Sequence, residues 1–219
     1  MPTASGVLLS ARRKIATALI CLPALVATNV CYPQEMQNKS WAGYYPLATG
    51  NSWTYSVSGK PKARPVVWRV LNVKTDASGP VFAVWPTPSN SDDSGMQLQF
   101  TSEGLRELGD DFFVLRFPLT KGKTWRVSRH DQERLFVVVS EGERCAVGEL
   151  TFKACAVVRD DDPAAKLRTV TTYALGVGPV RYEYYKMVRD GFAKEATQVV
   201  TIVSYSAKPS DHDSQTESR

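Results

Sequence analysis

The sequence predicts an all-β domain: an antiparallel, strongly curved sheet, half-open barrel or sandwich, with little helix outside the N-terminal segment. Three observations carry this. Short runs rich in Val, Thr, Tyr, Phe and Trp recur along the chain, separated by clusters of Gly, Pro, Asn, Asp and Ser. Several of these runs alternate with a period of two; in Ser52-Trp53-Thr54-Tyr55-Ser56-Val57 the large residues share one face. No window of about 11 residues beyond the N-terminal segment carries a helical period, and only Ser102 to Leu108 suggests one short helical turn.

Taken in order, residues 1–27 read as an export signal. Arg12, Arg13 and Lys14 precede the apolar run Ile15 to Ala27, broken only by Thr17 and Pro23, and Ala27 supplies the small residue a cleavage site needs. The run is shorter than the ~18 apolar residues expected of a membrane span. An uncleaved anchor and a buried N-terminal helix are the alternatives. Arg12-Arg13 also raises twin-arginine export, although Ser10 sits one place too far away. Cys31 is a candidate lipid anchor with a poor match, because Thr28-Asn29-Val30 lacks the small residue that should precede it.

This reading changes what the charge means. The 219 residues hold 27 Lys plus Arg against 22 Asp plus Glu, a net charge of +5. Losing the three basic residues of 1–27 leaves 24 against 22. The basic excess then belongs largely to the targeting segment, and composition makes no case for a nucleic-acid partner. A 43% apolar, 22% charged chain is ordinary globular material.

Residues 28–39 are polar and turn-like, a linker. Residues 40–207 form one β-rich domain with strands expected near 41–45, 52–57, 66–73, 81–86, 96–101, 112–117, 124–128, 135–140, 152–159, 170–174, 180–187 and 199–205. Residues 208–219 lack a large apolar side chain and read as a disordered tail. Export, no transmembrane helix in the mature chain, and a periplasmic or extracellular destination follow as expectations, with an outer-membrane lipoprotein as the variant that needs Cys31.

One pattern occurs twice. Tyr45-Pro46-Leu47-Ala48-Thr49-Gly50-Asn51-Ser52-Trp53 reappears as Phe117-Pro118-Leu119-Thr120-Lys121-Gly122-Lys123-Thr124-Trp125. Proline ends an extended segment, glycine permits a positive-φ turn, and the next strand projects a Trp into the core. The reading is a structural corner at the start of each of two halves; a ligand motif or coincident turn chemistry is the alternative. Together with Tyr173-Ala174-Leu175-Gly176-Val177-Gly178-Pro179-Val180, these residues resemble an uncharacterised group of secreted bacterial proteins and lipoproteins. The resemblance covers roughly residues 44–185. It implies a β-rich envelope domain like the half-open barrels that carry lipids or lipoproteins, and it brings no catalytic residues.

Candidate chemistry is sparse. Cys145 and Cys155 flank a segment with a turn at Gly148-Glu149 and are expected to form a disulfide across neighbouring strands in an oxidising compartment; two free thiols are the alternative. Two His and four Cys leave too few ligands for a zinc site. His130, beside Asp131, reads as an exposed loop residue rather than a general base, and no Gly-x-Ser-x-Gly elbow exists. Asp160-Asp161-Asp162 reads as a solvated loop rather than a Ca²⁺ site, since it lacks the glycine and distant Glu of a calcium loop. Glu183 with Glu141 or Glu143 is a conceivable acid pair. Gly176-Val177-Gly178 reads as a turn entering a strand, not a dinucleotide loop.

The aromatic residues Trp53, Trp68, Trp125, Tyr182 and Tyr184 are core by default and candidate ligand-lining groups if the sheet is concave. No cofactor is expected. The functional expectation is an exported, non-catalytic binding or carrier module for an apolar or lipid-like small molecule. A structural or envelope-protein interaction domain is the alternative, and a hydrolase has the weakest support.

Overall fold

The computed structural model describes residues 41–58, 63–87, 95–129 and 132–208. The residues expected to form an export segment, a linker with Cys31 and a tail beyond Lys208 lie outside the described residues, as does His130. The strands in chain order are β1 Ser52–Val57, β2 Val66–Asp76, β3 Gly79–Thr87, β4 Met96–Thr101, β5 Gly104–Glu107, β6 Phe112–Arg116, β7 Thr124–Arg129, β8 Gln132–Val147, β9 Leu150–Asp162, β10 Leu167–Ala174, β11 Gly178–Val188, β12 Gly191–Phe192 and β13 Gln198–Ser206.

All pairings are antiparallel, in the order β6-β5-β4-β3-β2-β1-β13-β11-β10-β9-β8-β7, with the short β12 folded back on β11. Two meanders, β1–β6 and β7–β13, are therefore joined by the pairing of the first strand with the last. The sheet curls until its ends meet: the Trp125 indole on β7 donates to the Phe113 carbonyl on β6 at 2.9 Å. The curved, nearly closed antiparallel sheet is the fold class that alternation predicts. Its inner face carries Trp53, Tyr55, Phe82, Leu98, Leu115, Phe136 and Val180, all buried.

The doubled motif forms two equivalent corners. In the first, the Gly50 amide donates to Val70 O at 2.9 Å, the Val70 amide to Asn51 O at 2.9 Å, and the Asn51 amide to Ala48 O at 3.0 Å. In the second, Gly122 donates to Val138 O at 2.8 Å, Val138 to Lys123 O at 2.9 Å, and Lys123 to Thr120 O at 2.9 Å. Gly50 and Gly122 have φ of 90° and 86°. Leu47 and Leu119 are fully buried, as are Trp53 and Trp125 to within 3%. Trp53 lies opposite Trp68 and Trp125 opposite Phe136, so the match extends into the next strand of each half.

Three local expectations are corrected. Residues 41–45 form a single tight turn, not a strand: the Tyr44 and Tyr45 amides donate to the Trp41 and Ala42 carbonyls, both at 3.0 Å. With Ala42, Tyr44 and Tyr45 buried, this turn packs into one end of the barrel. Ser102 to Leu108 is a hairpin turn entering β5, not helical, because Thr101 Oγ1 takes the Glu103 and Gly104 amides at 3.2 Å each. Asp160-Asp161-Asp162 is not a solvated loop but the end of β9, paired to β8 and β10. The charged triplet continues the strand because Arg134 and Arg168 on the neighbouring strands, and Arg159 on β9 itself, neutralise it.

Cys145 and Cys155 are joined as a disulfide, with Cα atoms 6.0 Å apart, across the β8–β9 hairpin. That hairpin is irregular between Val138 and Cys145, so the covalent link holds a segment where the backbone ladder is interrupted.

The equivalence of the corners has a measurable consequence. A Cβ at either Gly50 or Gly122 meets nothing within 4 Å, leaving the positive-φ backbone cost alone. Gly50→Ala and Gly122→Ala should each lower the free energy of urea unfolding by about 1–2 kcal/mol. Costs differing severalfold would mean the two turns are not the same device.

Candidate functional site: the barrel interior

One end of the interior is packed shut. The Gly176 amide donates to Gly43 O at 2.8 Å, tying the β10–β11 turn to the 41–45 turn. The Trp53 indole donates to Val177 O and the Tyr55 hydroxyl to Pro179 O at 2.8 Å, so these buried polar atoms are satisfied by turn carbonyls. Tyr45 packs edge-on to Trp53 at 5.8 Å and lies 6.1 Å from Tyr173. Gly178, at φ 104°, brings its backbone against Trp53; a Cβ there would sit 3.1 Å from the indole nitrogen. The expected role of Gly176-Val177-Gly178 as a turn entering a strand holds, and its reason is this close approach.

Toward the other end the interior changes character row by row, since residues paired across antiparallel strands share a face. One row runs Val138, Val158, Thr171, Tyr182, Val200, Val57. The next runs Phe136, Asp160, Thr169, Tyr184, Gln198. Beyond it, Asp162 pairs with Leu167 and Leu167 with Lys186, and Arg134 precedes Leu135, the partner of Asp161. Along β11, Val180 is fully buried, Tyr182 and Tyr184 are half-buried, and Lys186 is exposed. Apolar rows of the interior thus give way to a polar band and then to a charged mouth at the barrel end.

Arg134 anchors that mouth. Its Nε donates to Asp160 Oδ1 at 2.8 Å and its Nη2 to Asp160 Oδ2 at 2.5 Å, with Asp162 3.8 Å away. The guanidinium lies 4.6 Å from the Phe112 ring centroid and 5.0 Å from that of Phe136. Burial pushes the Asp160 carboxyl above its ordinary value, and the Arg134 hydrogen bond and charge only partly counter it. On the outer face, Arg168 binds Asp161 through both oxygens, and Arg159 also reaches Asp161 at 3.4 Å.

Of the aromatic residues singled out from sequence, Tyr182 and Tyr184 come together on the inner face, stacked at 6.4 Å, with Tyr55 5.8 Å from Tyr182. Trp53 sits at the closed end, Trp68 is half-buried opposite it, and Trp125 lies where the sheet ends meet. Sequence reasoning missed Arg134 and Thr171, and it placed Asp160 in a solvated loop rather than on the inner face of β9. The signal was present: continuing the alternation of Ala156 and Val158 places Asp160 and Asp162 on the inner face. Glu183 is not brought beside Glu141 or Glu143, since β9 and β10 lie between their strands. Glu183 instead binds Arg181 at 2.5 Å and accepts the Tyr185 hydroxyl at 3.0 Å. Among the described residues no cluster of metal-ligating side chains occurs, and no helix is long and apolar enough to cross a membrane.

No family model matches the sequence, and no curated protein matches it. Two solved structures are similar. One is a Bacteroides fragilis protein inferred to be exported, with a YmcC-like fold: TM-score 0.42, 14% identity, covering 74% of this chain and 98% of that one. The other is a Parabacteroides distasonis protein inferred to be a lipoprotein: TM-score 0.36, 11% identity, 74% and 98% covered.

Burial holds the phenols of Tyr45, Tyr55, Tyr173, Tyr182 and Tyr184 above the ordinary tyrosine value of 10.0. Unfolded phenols ionise near pH 10 while these stay neutral, so their contribution is intact below pH 10 and is lost as pH rises above it. Tyrosinate absorbance from these residues should appear only together with loss of β-sheet circular dichroism. Complete, reversible tyrosine ionisation near pH 10 with the fold intact would contradict this packing.

Proposed function

We propose that this chain is an exported, non-catalytic domain of the bacterial envelope whose barrel interior holds an apolar or lipid-like ligand. The observation that carries the reading is the sequence of interior rows, from Val138, Val158 and Tyr182, through Asp160, Thr169 and Tyr184, to Arg134 and Lys186. An acyl chain laid against the aliphatic and tyrosine row would leave its polar end at the band where Asp160, Thr169 and Arg134 stand. The Cys145–Cys155 disulfide supports export, because such bonds persist in oxidising compartments. So does the basic-apolar pattern of residues 12–27.

Native mass spectrometry of protein recovered from the periplasm tests both parts. The expected species begins at Thr28, resists alkylation at Cys145 and Cys155, and carries an apolar molecule released by organic solvent. Tyr184→Ala should weaken that ligand about tenfold, the effect of losing roughly 1.4 kcal/mol of ring burial. Protein that is consistently ligand-free, and takes up no added fatty acid, would remove the carrier reading.

A second reading, docking to an envelope protein, rests on the outer face beside β1. Bulges in β2 and β13 turn Leu71 and Val203 outward, at 54% and 56% exposure. Cross-linking in cells from these two positions should capture one defined partner, lost in Leu71→Ser with Val203→Ser. A monomer that recovers none would leave the carrier reading alone.

A further inference from the structure

Each half of the barrel begins with the same corner. Asn51 Nδ2 donates to Pro46 O at 2.9 Å inside the first corner, and also to Lys208 O at 3.1 Å, holding the chain that leaves β13. Its counterpart Lys123 donates through Nζ to Phe117 O inside the second corner. The first corner leads into β1 beside β13, and the second leads into β7 beside β6. Yet β1 and β13 share a ladder of six residue pairs, whereas β6 and β7 are the two ends of the strand order and no ladder joins them among the described residues.

What joins them is side chains. The Trp125 indole takes the Phe113 carbonyl that a ladder would have used. Phe112 on β6 stacks on Phe136 at 5.9 Å, Phe136 stacks on Trp125 at 5.1 Å, and Arg134 covers Phe112. Opening the sheet anywhere else along its strand order breaks backbone ladders in a row; among the described residues, parting this seam breaks the Trp125–Phe113 hydrogen bond and ring contacts but no ladder. The interior row of Tyr184, Thr169, Asp160 and Phe136 runs on to Trp125 on β7, so the seam borders the barrel interior directly. The axial mouth, by contrast, is ringed by Arg134, Asp162 and Lys186, and an apolar chain passing there would desolvate charges.

We infer that the β6–β7 seam is a lateral gate through which the apolar part of the ligand enters and leaves, with the Trp125 indole as its latch. This rests on the interior-binding reading above. The polar head slides past Arg134 at the mouth while the tail passes between aromatic edges.

Stopped-flow fluorescence with cis-parinaric acid as probe, on wild type, Trp125→Phe and Phe112→Leu, tests it, alongside amide exchange followed by mass spectrometry. Trp125→Phe keeps the ring on Phe136 and removes only the N–H. Association and dissociation rates should both rise about fivefold, as expected for one lost hydrogen bond, a larger change than any in equilibrium affinity. Faster exchange should be confined to 112–116 and 124–129. Phe112→Leu should shift the rates in the same direction. Rates unchanged in both variants, or exchange spreading into β1 and β13, would overturn the gate while leaving binding intact. A wild-type protein that takes up no probe would instead remove the binding reading and the gate together.

Discussion

Pairing of β1 with β13 makes one barrel-like sheet out of two meanders. Every other pairing in the main sheet joins strands close in the chain, and those hairpins need only short loops to close. The register Ser52 with Ser206 to Val57 with Val200 brings together residues about as far apart as the domain allows, at the largest chain-closure cost in the fold. The corners at Gly50 and Gly122 aim each meander's first strand inward, and Asn51 clasps both its own corner and the backbone at Lys208. Without that junction the aromatic inner faces of the halves would have nothing to bury against.

The closed barrel end and the graded one follow from where the large side chains fall. Trp53, Tyr45, Tyr55 and Tyr173 fill the end where the 41–45 turn enters, and turn carbonyls satisfy the Trp53 and Tyr55 donors. Farther along, valine and threonine replace them on β8–β10 and tyrosine stands opposite on β11. The Arg134–Asp160 pair is tolerated at the rim because both carboxylate oxygens are engaged and the guanidinium keeps two aromatic faces beside it. Isolated there, either charge would be strongly unfavourable.

Much of this was legible before the fold was known. Alternation at Trp53, Tyr55 and Val57 named the inner face of β1. The repeated Pro-Leu-x-x-Gly-x-x-Trp pattern announced two equivalent turns, and their hydrogen bonds match one for one. The ten-residue spacing of Cys145 and Cys155 across a Gly148-Glu149 turn anticipated the disulfide. Composition misled at Asp160-Asp161-Asp162, because three adjacent acids suggest a loop unless their Arg partners on β8, β9 and β10 are visible. It misled at 41–45 because a strand-like composition was spent on a turn that packs into a barrel end.

The sequence by itself determined the strand class, the positions of the corners, the covalent link and which residues of each strand lie on one face. These are local properties, set by alternation, turn chemistry and spacing over a few residues. Only the tertiary structure decided that the first strand pairs with the last, that Asp160 faces inward to Arg134, and that β6 and β7 meet through side chains. The backbone donors and acceptors that make a ladder are the same at nearly every residue. Which edges find each other therefore depends on the curvature of the assembled sheet, and no single stretch of sequence carries it.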